Sequence, residues 1–445
     1  MKLRQANAPA KTLSATQAAG LVQSGMWLDY AGAFNQPDVF DQALGARITE
    51  LSDLKIRSTL SMRPRAVMEN DPEGRHVYML SLHMGAYDRY LHDKGRCGYI
   101  PLNLGDASDY YRRFFDPVDI LIVKTRPLED GVFHMGPTNV WLRAIVERAR
   151  MVIVETCTTI PHVYGEGTGI HISEVDYIIE GDNAPLPELP NPAPTGVDSA
   201  VAQLIINEIE DGACLQIGIG GMPNAVCGLL ANAGIKDLGV HTEMMTDGIA
   251  DLYRAGLING ARKKLDPGKI VYTFAAGSKA LYDTLDRNPD MLCYPVEYTN
   301  APHLIMQNPR TTAINSTTQI DLTGQAASES DGNRHLTGTG GQAQFVRGAY
   351  ASSGGKSFIC LPSTYDKMGE RRSRIVFNLT SGNIVTTSRA DMMYVVTEYG
   401  IVNLKGKSVP ERARALIDIA HPDFREALER QAHENRLIPR GFTFA

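Results

Sequence analysis

A glutamate that follows a glycine-rich loop is the strongest candidate for chemistry in this chain. Glu243 lies in the segment HTEMMTDG, 22 residues beyond the last glycine of the loop GIGG at 218–221. A carboxylate can attack a carbonyl carbon, and the backbone N–H groups of a glycine loop can stabilise the oxyanion that forms. One interpretation of the two features is therefore covalent acyl chemistry with Glu243 as the nucleophile.

The same spacing also fits a second chemistry. In a dinucleotide-binding βαβ unit, an acidic residue about 20 residues beyond the glycines binds a ribose hydroxyl. The third glycine of that fingerprint is missing here, because Pro223 occupies its position. A third interpretation makes Glu243 a surface carboxylate, which its otherwise apolar segment disfavours. The local pattern leaves the first two interpretations open.

Three predicted elements would position these residues. The segment 215–217 predicts a buried strand, and Pro223 suits the first turn of a helix, where its missing N–H has no cost. A second strand is predicted over 238–245, and its period of two places Glu243 on the same face as residues 241 and 245. Glu243 would then lie near the carboxyl end of a strand, the edge where open α/β sheets bind ligands.

The chain as a whole has an α/β pattern in two parts. Its 445 residues are enough for two compact domains, and residues 183–196 contain five prolines without an apolar period, which predicts an extended linker. Short apolar runs at 119–123, 151–155 and 269–274 predict strands, and three- and four-residue spacing predicts helices over 409–419 and 421–436.

A faint internal repeat relates the two parts. In each part a strand-like segment lies between a glycine and a proline. Gly25 and Pro37 are 12 residues apart, and Gly212 and Pro223 are 11 residues apart. The match is suggestive, and chance alone could produce it.

Composition excludes several classes of protein. The formal net charge is −6, which argues against nucleic acid or an anionic membrane as the main partner. The six cysteines have no metal-ligand spacing and predict buried thiols in a reducing compartment, so no metal site is expected. No apolar run has the length of a signal-peptide core or a membrane span, and a cytoplasmic enzyme is therefore expected.

Longer motifs add a resemblance that the local pattern lacks. GIGGMPNAV and HTEMMTDG are joined by three segments at 311–325, 338–356 and 394–424, which begin TTAINS, GTGGQAQF and YVVTEYG. In this order they resemble the acetyl-CoA hydrolase/transferase family, which belongs to the class I CoA-transferases and includes 4-hydroxybutyrate and butyryl-CoA:acetate CoA-transferases. The resemblance extends over nearly the whole chain.

The resemblance implies a particular architecture. It predicts an α/β fold with two similar CoA-transferase-type domains in one chain, which makes the faint repeat an expected internal duplication. The predicted bounds are 1–185 for the N-terminal domain, 186–196 for the proline-rich linker and 197–445 for the C-terminal domain with the catalytic glutamate. A homodimer or higher homo-oligomer is usual in the family.

The resemblance also implies the site residues. The catalytic glutamate of the family falls on Glu243, and the N–H of Ile219 is the expected first oxyanion donor. Gly341 is the expected second donor, although Gln344 stands where family members commonly have aspartate, a departure in the same loop. Lys356 or Arg347 would supply positive charge for the CoA phosphates, and Lys356 is also an expected CoA contact. The remaining expected CoA contacts are Gly218, Gly220, Gly221, Met222 and Asn315.

The implied reaction transfers coenzyme A from a short-chain acyl-CoA to a carboxylic acid through a glutamyl-CoA thioester. An acyl-CoA and small carboxylic acids are the expected partners, and the CoA thioester serves as substrate with no resident cofactor. An acyl-CoA hydrolase on the same scaffold is the alternative, and a dinucleotide-binding protein is the less favoured one.

Overall fold

Strands and helices alternate along most of the chain in the computed structural model, which describes residues 4–6, 8–439 and 441. The strands are β1 (Lys11–Thr12), β2 (Trp27–Gly32), β3 (Leu54–Thr59), β4 (Val77–Ser81), β5 (Cys97–Tyr99), β6 (Ile120–Thr125), β7 (Val132–His134), β8 (Met151–Thr156), β9 (Gly169–His171), β10 (Tyr177–Glu180), β11 (Cys214–Ile217), β12 (Gly239–His241), β13 (Met244–Met245), β14 (Ile270–Tyr272), β15 (Phe274–Ala275), β16 (Met291–Cys293), β17 (Thr311–Ser316), β18 (Gln319–Asp321), β19 (Ala326–Ala327), β20 (Ser330–Asp331), β21 (Arg334–His335), β22 (Lys356–Cys360), β23 (Thr364–Lys367), β24 (Glu370–Ser373), β25 (Ile375–Val376), β26 (Tyr394–Thr397) and β27 (Gly400–Asn403).

The helices connect and flank these strands. The α-helices are α1 (Ala15–Ala19), α2 (Val39–Gly45), α3 (Ala66–Glu69), α4 (Ala86–Asp93), α5 (Ala107–Arg113), α6 (Leu142–Arg148), α7 (Gly196–Ile206), α8 (Gly221–Leu230), α9 (Asp247–Arg254), α10 (Lys279–Leu285), α11 (Val296–Thr299), α12 (Pro302–Ile305), α13 (Gln342–Ala351), α14 (Val409–Asp418) and α15 (Pro422–Glu434). Short 3-10 helices cover Ala33–Asn35, Ile48–Glu50, Leu104–Asp106 and Ile172–Glu174.

The chain divides into two compact units. The first contains Met1–Leu189 together with two later segments, Val271–Thr299 and Leu336–Gly340. The second contains Pro190–Ile270, Asn300–His335 and Gly341–Ala445. The first division falls within the proline-rich segment, where no strand or helix lies between β10 and α7.

Each unit is built on a parallel sheet. The sheet of the first unit has eight strands in the order β1-β10-β8-β6-β2-β3-β4-β5, and every neighbouring pair is parallel. In the second unit β12, β11, β17, β22, β26 and β27 lie side by side in that order, parallel except for the β26–β27 pair. The predicted fold of two similar α/β parts is thereby confirmed.

The faint repeat in the sequence corresponds to equivalent strands. β2 follows Gly25 and β11 follows Gly212, and each is an interior strand of its sheet. Each pairs on one side with the next strand of the large sheet, β3 or β12, and on the other side with a later strand, β6 or β17. The faint repeat in the sequence therefore coincides with the same local strand order in both sheets.

Burial follows the composition of the strands. All six residues of β6 (ILIVKT) are buried, as parallel strands covered on both faces require. A cluster of buried side chains that includes Leu28, Phe40 and Ile56 forms a core of the first unit, and one that includes Ile320, Ile359 and Val395 forms a core of the second. The six cysteines are all buried and free, as the sequence predicts.

Local sequence signals explain where several helices begin. Ser14 and Gln17 form a capping box at α1, and Ser408 and Glu411 form one at α14, so orphan N–H groups are satisfied at each helix start. The helices predicted over 409–419 and 421–436 correspond to α14 and α15, and the strands predicted at 119–123 and 151–155 correspond to β6 and β8. Among the described residues, no helix combines the length and apolarity that crossing a membrane requires.

Candidate active site

Glu243 lies in a break between two strands. The prediction of one continuous strand over 238–245 is wrong, because β12 ends at His241 and the chain bends at Glu243 before β13 begins. The hydroxyl of Thr242 donates to the backbone carbonyl of Met244 at 3.1 Å, a local bond that competes with a continuous ladder. The bend places Glu243 beyond the end of β12, so strict alternation no longer fixes its direction.

Two neutral donors hold the carboxylate of Glu243. The side-chain amide of Asn300, itself fully buried, donates from Nδ2 to Oε2 at 2.5 Å, and the backbone N–H of Gly341 also hydrogen-bonds to the carboxylate. Burial raises the pKa of Glu243 to about 7, and the bonds from Asn300 and Gly341 oppose that rise. The result is a carboxylate that is fixed in place and weakly stabilised in its charged form.

Gly341 is required at its position by close packing. A Cβ atom there would lie well inside contact distance of Oε2 of Glu243 and Nδ2 of Asn300. Because Gly341 precedes α13, its backbone also begins that helix. Glycine therefore allows the main chain to approach the carboxylate directly, which a side chain would prevent.

The first glycine loop connects β11 to α8. It occupies Gly218–Gly220, and Gly220 has a φ of 116°, a conformation that favours glycine. Ile219, at the tip of this loop, is 56% exposed, although its side chain is apolar. The loop leads into the N-terminus of α8 at Gly221, where unpaired N–H groups favour a negative charge.

Strand pairing brings three predicted site residues to one edge of the sheet. β11 pairs in parallel with β12 through Cys214 and Gly239, so the glycine loop after β11 and Glu243 after β12 both follow strand ends at that edge. On the other side β11 pairs with β17 through Ile217 and Ile314, so Gly218 and Asn315 are the next residues along the two strands. Neighbouring strands are about 4.8 Å apart, so Gly218 and Asn315 occupy one row at the carboxyl edge of the sheet.

Asn315 is also fixed by its side chain. Its amide exchanges two hydrogen bonds with that of Gln216 across the neighbouring strands, at 3.0 and 3.3 Å. The pair is partly buried, and it restrains both side chains below the glycine loop. Asn315 therefore lies at the predicted edge.

A small pocket opens beside the loop. It has a volume of about 140 Å³ and is bounded by residues of α7, of the loop and α8, by the last residue of β17, and by the end of β22 with the two residues that follow it. Its lining includes Ile219, Gly220, Gly221 and Met222, four of the predicted CoA contacts. Ligand pockets of whole small molecules usually exceed about 300 Å³, so this pocket fits part of an extended ligand.

The structure does not bring Lys356 to this edge, which corrects the prediction for that residue. Lys356 begins β22 and is paired with Thr312, three residues before Asn315, so it lies about 10 Å down the sheet from that row. Its Nζ bonds to Glu208 at 3.0 Å and lies 3.7 Å from Glu210. This lysine neutralises acidic groups near the amino ends of the strands.

Arg347 is likewise paired with an acidic residue. Its guanidinium forms two bonds to the Asp391 carboxylate, at 3.2 and 3.1 Å, and its side chain is largely exposed. Neither of the two cations proposed from the sequence is therefore held ready for CoA phosphates.

The second glycine loop has its own supports in the first unit. Thr337 contacts Nε2 of His83 through its hydroxyl at 2.8 Å, and Tyr99 accepts a hydrogen bond at its OH from the backbone N–H of Thr339 at 2.8 Å. A Cβ at Gly338 would clash with His83, which explains the glycine. The chain then continues directly into Gly341.

Asn300 is the residue that sequence reasoning missed. It lies in the segment EYTNAPH between the short helices α11 and α12, 57 positions from Glu243, in no motif that suggests chemistry. Its only sequence signal is the Asn-Ala-Pro break between helices, which indicates a turn and not a partner.

The arrangement suits a nucleophilic carboxylate. Glu243 is oriented by an amide and a backbone N–H, and burial together with these two bonds sets its pKa. The loop that follows the neighbouring strand β11 can donate N–H groups to an oxyanion. A ribose contact would require none of the close packing at Gly341. The chemical interpretation of Glu243 therefore fits the geometry better than the dinucleotide one.

Comparisons with known proteins match both halves of the chain to one family. The N-terminal and C-terminal domain models of the acetyl-CoA hydrolase/transferase family match residues 2–190 and 277–432. The chain is 44% identical to butyryl-CoA:acetate CoA-transferase of Anaerostipes caccae, over 96% of this chain and 97% of that protein. It is 39% identical to 4-hydroxybutyrate coenzyme A transferase of Clostridium kluyveri, over 94% and 96%.

Solved structures resemble it over the same length. The crystal structure of RipA from Yersinia pestis superposes with a TM-score of 0.87 and 36% identity, covering 96% of this chain and 98% of that one. Acetyl-CoA hydrolases are more distant, for example that of Yarrowia lipolytica at 30% identity over 70% of this chain and 65% of that protein. The chain belongs to the acetyl-CoA hydrolase/transferase family.

Proposed function

We propose that this protein transfers coenzyme A between short-chain carboxylic acids, with Glu243 as the covalent nucleophile. The observation that carries the proposal is the carboxylate of Glu243 itself. It is bound by Asn300 and Gly341, has a pKa raised to about 7, and lies at the carboxyl edge of the sheet beside the glycine loop.

In the first half-reaction the Glu243 carboxylate attacks the carbonyl carbon of the acyl-CoA. The C–S bond breaks, the CoA thiolate leaves, and an acyl-glutamyl anhydride remains. The thiolate then attacks the glutamyl carbonyl carbon, the anhydride C–O bond breaks, and the donor acid leaves as its carboxylate. The enzyme now carries CoA as a thioester on Glu243.

In the second half-reaction an incoming carboxylate attacks this thioester and releases the thiolate again. The thiolate then attacks the acyl carbonyl of the new anhydride, which forms the product acyl-CoA and regenerates the Glu243 carboxylate. One thioester replaces another of similar energy, so the reaction needs neither ATP nor a resident cofactor.

This mechanism requires an oriented, partly desolvated carboxylate and donors for the oxyanion. A carboxylate is a weak nucleophile in water, and partial desolvation together with fixed orientation increases its reactivity. Each tetrahedral intermediate needs donors for its oxyanion, and we assign these to the N–H groups of Ile219 and Gly341. One such donor contributes about 3–4 kcal/mol of barrier reduction in other oxyanion holes.

The names of the relatives support a short-chain substrate range. Acetyl-, butyryl- and succinyl-CoA are the donors that we propose, with acetate, butyrate, 4-hydroxybutyrate or succinate as acceptors. A cytoplasmic location and a homodimer or larger homo-oligomer, both usual in the family, complete the proposal.

An acid screen tests the proposal and its main alternative together. The protein is incubated with acetyl-CoA, with and without butyrate, 4-hydroxybutyrate, succinate or itaconate, and the products are separated by mass. A new acyl-CoA that requires an added acid supports a transferase. Release of free CoA at a rate that no acid changes would instead establish a hydrolase.

The covalent step has its own test. After treatment with an acyl-CoA, borohydride should reduce a glutamyl thioester and change the mass of the peptide that contains Glu243. Glu243→Ala should remove both turnover and this change in mass. An unmodified peptide in an active enzyme would exclude the thioester mechanism.

A further inference from the structure

A glutamate and two histidines of the first unit converge in a cluster with no part in the proposed reaction. Glu129, His134 and His162 each offer one ligand atom, and these atoms all lie within 4.8 Å of one another. Nδ1 of His162 is 3.5 Å from Oε2 of Glu129, and the two imidazole rings have their centroids 4.1 Å apart. Two imidazoles and a carboxylate form a ligand set that Zn²⁺ commonly takes.

A tight hairpin fixes two of these side chains. Glu129 and Val132 exchange backbone hydrogen bonds of 3.0 and 2.9 Å around Asp130 and Gly131, which both have positive φ. His134 lies two residues beyond Val132 on β7, hence on the same face as the residue that pairs with Glu129. The turn therefore presents the carboxylate and the imidazole together.

The third side chain comes from a separate segment that is held at both backbone groups. The N–H of His162 donates to the carboxylate of Asp286 at 2.6 Å, and its carbonyl accepts from the N–H of Arg287 at 2.7 Å. These two bonds fix the backbone of His162, and its Nδ1 lies 3.5 Å from Oε2 of Glu129 in the hairpin. Three ligands on restrained backbone make a preorganised site.

Two ring nitrogens of the cluster are poorly satisfied. Nδ1 of His134 and Nδ1 of His162 are buried, and neither makes a hydrogen bond of normal geometry within the part of the chain that the structure describes. Nδ1 of His162 has Oε2 of Glu129 at 3.5 Å, the outer limit of hydrogen-bond distance, and His162 is only 8% exposed, so water access to it is restricted. Buried polar atoms are normally well satisfied, and two poorly satisfied ring nitrogens in a cluster with a carboxylate indicate a ligand.

Arg126, Arg287 and Asp286 carry charges next to the cluster. Arg287 pairs with Oε1 of Glu129 at 2.7 Å, which leaves Oε2 as the oxygen that faces His162. Arg126 directs Nη1 to the carbonyl of Ile160, and Asp286 adds a negative charge next to His162. Arg287, which is 49% exposed, is therefore the competitor that a metal ion would meet.

We propose that Glu129, His134 and His162 form a Zn²⁺ site with a fourth position open to water. Tetrahedral zinc with bonds of about 2.1 Å separates its ligand atoms by about 3.4 Å, close to the His162–Glu129 distance, so small rotations of His134 complete the geometry. Bound Zn²⁺ connects the 126–134 hairpin to the segment at His162 and so stabilises this part of the first unit.

Zinc titration of chelator-treated protein tests this directly. Calorimetry should give one Zn²⁺ per chain, and added Zn²⁺ should raise the midpoint of thermal unfolding. His134→Gln, His162→Gln and Glu129→Gln should each weaken binding at least ten-fold, whereas Arg287→Gln should strengthen it. His303→Gln, which removes an exposed histidine outside the cluster, is the matched control and should bind as the wild type does.

Cobalt gives a second signature of the ligand set. Co²⁺ should produce a visible d–d absorption without a thiolate charge-transfer band, and His162→Gln should abolish it. If a histidine variant fails to fold without metal, the partly exposed Glu129→Gln and Arg287→Gln variants still decide the result. Wild-type protein without stoichiometric Zn²⁺, or the same affinity in the three ligand variants, would overturn the proposal. Glu243→Gln should retain zinc, so this result is separate from that of the transferase.

Discussion

The buried amide of Asn300 donates to Oε2 of Glu243 at 2.5 Å, although the two residues are 57 positions apart in the chain. This bond favours the charged carboxylate while burial disfavours it, and burial is the larger effect. The balance leaves Glu243 with a pKa of about 7, close to the pH at which most cytoplasmic enzymes operate.

The first prediction concerns the pH dependence of catalysis. Because only ionised Glu243 can attack, kcat/KM of the wild type should rise with pH through a limb near 7 instead of near 4.5. Asn300→Ala removes a bond that stabilises the charged form, so its limb should move to higher pH. Exposed Asn232→Ala, measured in the same series, should keep the wild-type limb. A wild-type limb below pH 5 would contradict a desolvated carboxylate.

The second prediction concerns stability. Burial raises the pKa of folded Glu243, so its contribution to stability is full below pH 4.5 and is lost as the pH rises through about 7. Glu243→Gln removes this loss. At pH 8 the variant should therefore unfold at a higher temperature than the wild type, and its free energy of unfolding should be larger by up to about 3 kcal/mol. Thermal unfolding across pH 4–8 measures the difference, which should shrink toward pH 4.5. A constant difference would contradict the shifted pKa.

The third prediction compares two glycines. Gly341→Ala forces the carboxylate of Glu243 and the amide of Asn300 to move, and a displacement of about 1 Å at a reacting group lowers kcat by about 100-fold. Gly228, exposed in α8, has open space for a Cβ, so Gly228→Ala should raise stability by about 0.5–1 kcal/mol and leave kcat unchanged. Equal kcat in both variants would mean that Gly341 has no role near Glu243.

The fourth prediction isolates one backbone N–H. Ile219→Pro deletes the donor that we assign to the oxyanion, whereas Ile219→Ala keeps it and removes only the exposed side chain. The proline variant should lose about 100- to 1,000-fold in kcat, and the alanine variant should stay near the wild-type value. Circular dichroism of both variants checks that the proline leaves the fold intact. Similar kcat values in two folded variants would remove Ile219 from the mechanism.

The fifth prediction follows from the position of Lys356. Because its ammonium pairs with Glu208 and Glu210, Lys356→Met should lower stability by no more than about 1 kcal/mol and should leave KM for acyl-CoA within two-fold of wild type. Steady-state kinetics and thermal unfolding test both parts. A large rise in KM would restore the role that the sequence motif suggests for this lysine.

The sequence was informative where the necessary residues lie close together along the chain. The glycine loop, β11, α8 and Glu243 fall within 30 residues of one another, so turn chemistry and apolar periodicity could predict their order. The break at Thr242 could not be predicted this way, because a hydroxyl-to-carbonyl bond overrides an apolar run that otherwise favours a strand.

Long-range relationships account for the remaining differences. Asn300 meets Glu243 only through the tertiary fold, and no local pattern distinguishes it from any other asparagine in a helix break. Lys356 looked suitable because SGGK follows a glycine loop, but its strand begins at the lysine and carries it to the opposite edge. Which edge a residue occupies depends on strand direction and register, and composition does not encode either one.

The first unit is assembled from separated segments of the chain, which affects the design of truncated fragments. The unit includes Val271–Thr299, and three residues of that segment bind partners in the N-terminal part. The carbonyl of Thr273 accepts from the N–H of Asn139, the carboxylate of Asp286 accepts from the N–H of His162, and Glu297 forms an ion pair with Arg112. A fragment that stops at Leu189 would therefore expose those partners and lose part of its own framework. Because each unit combines separated segments of the chain, no single cut yields either unit with all of its segments.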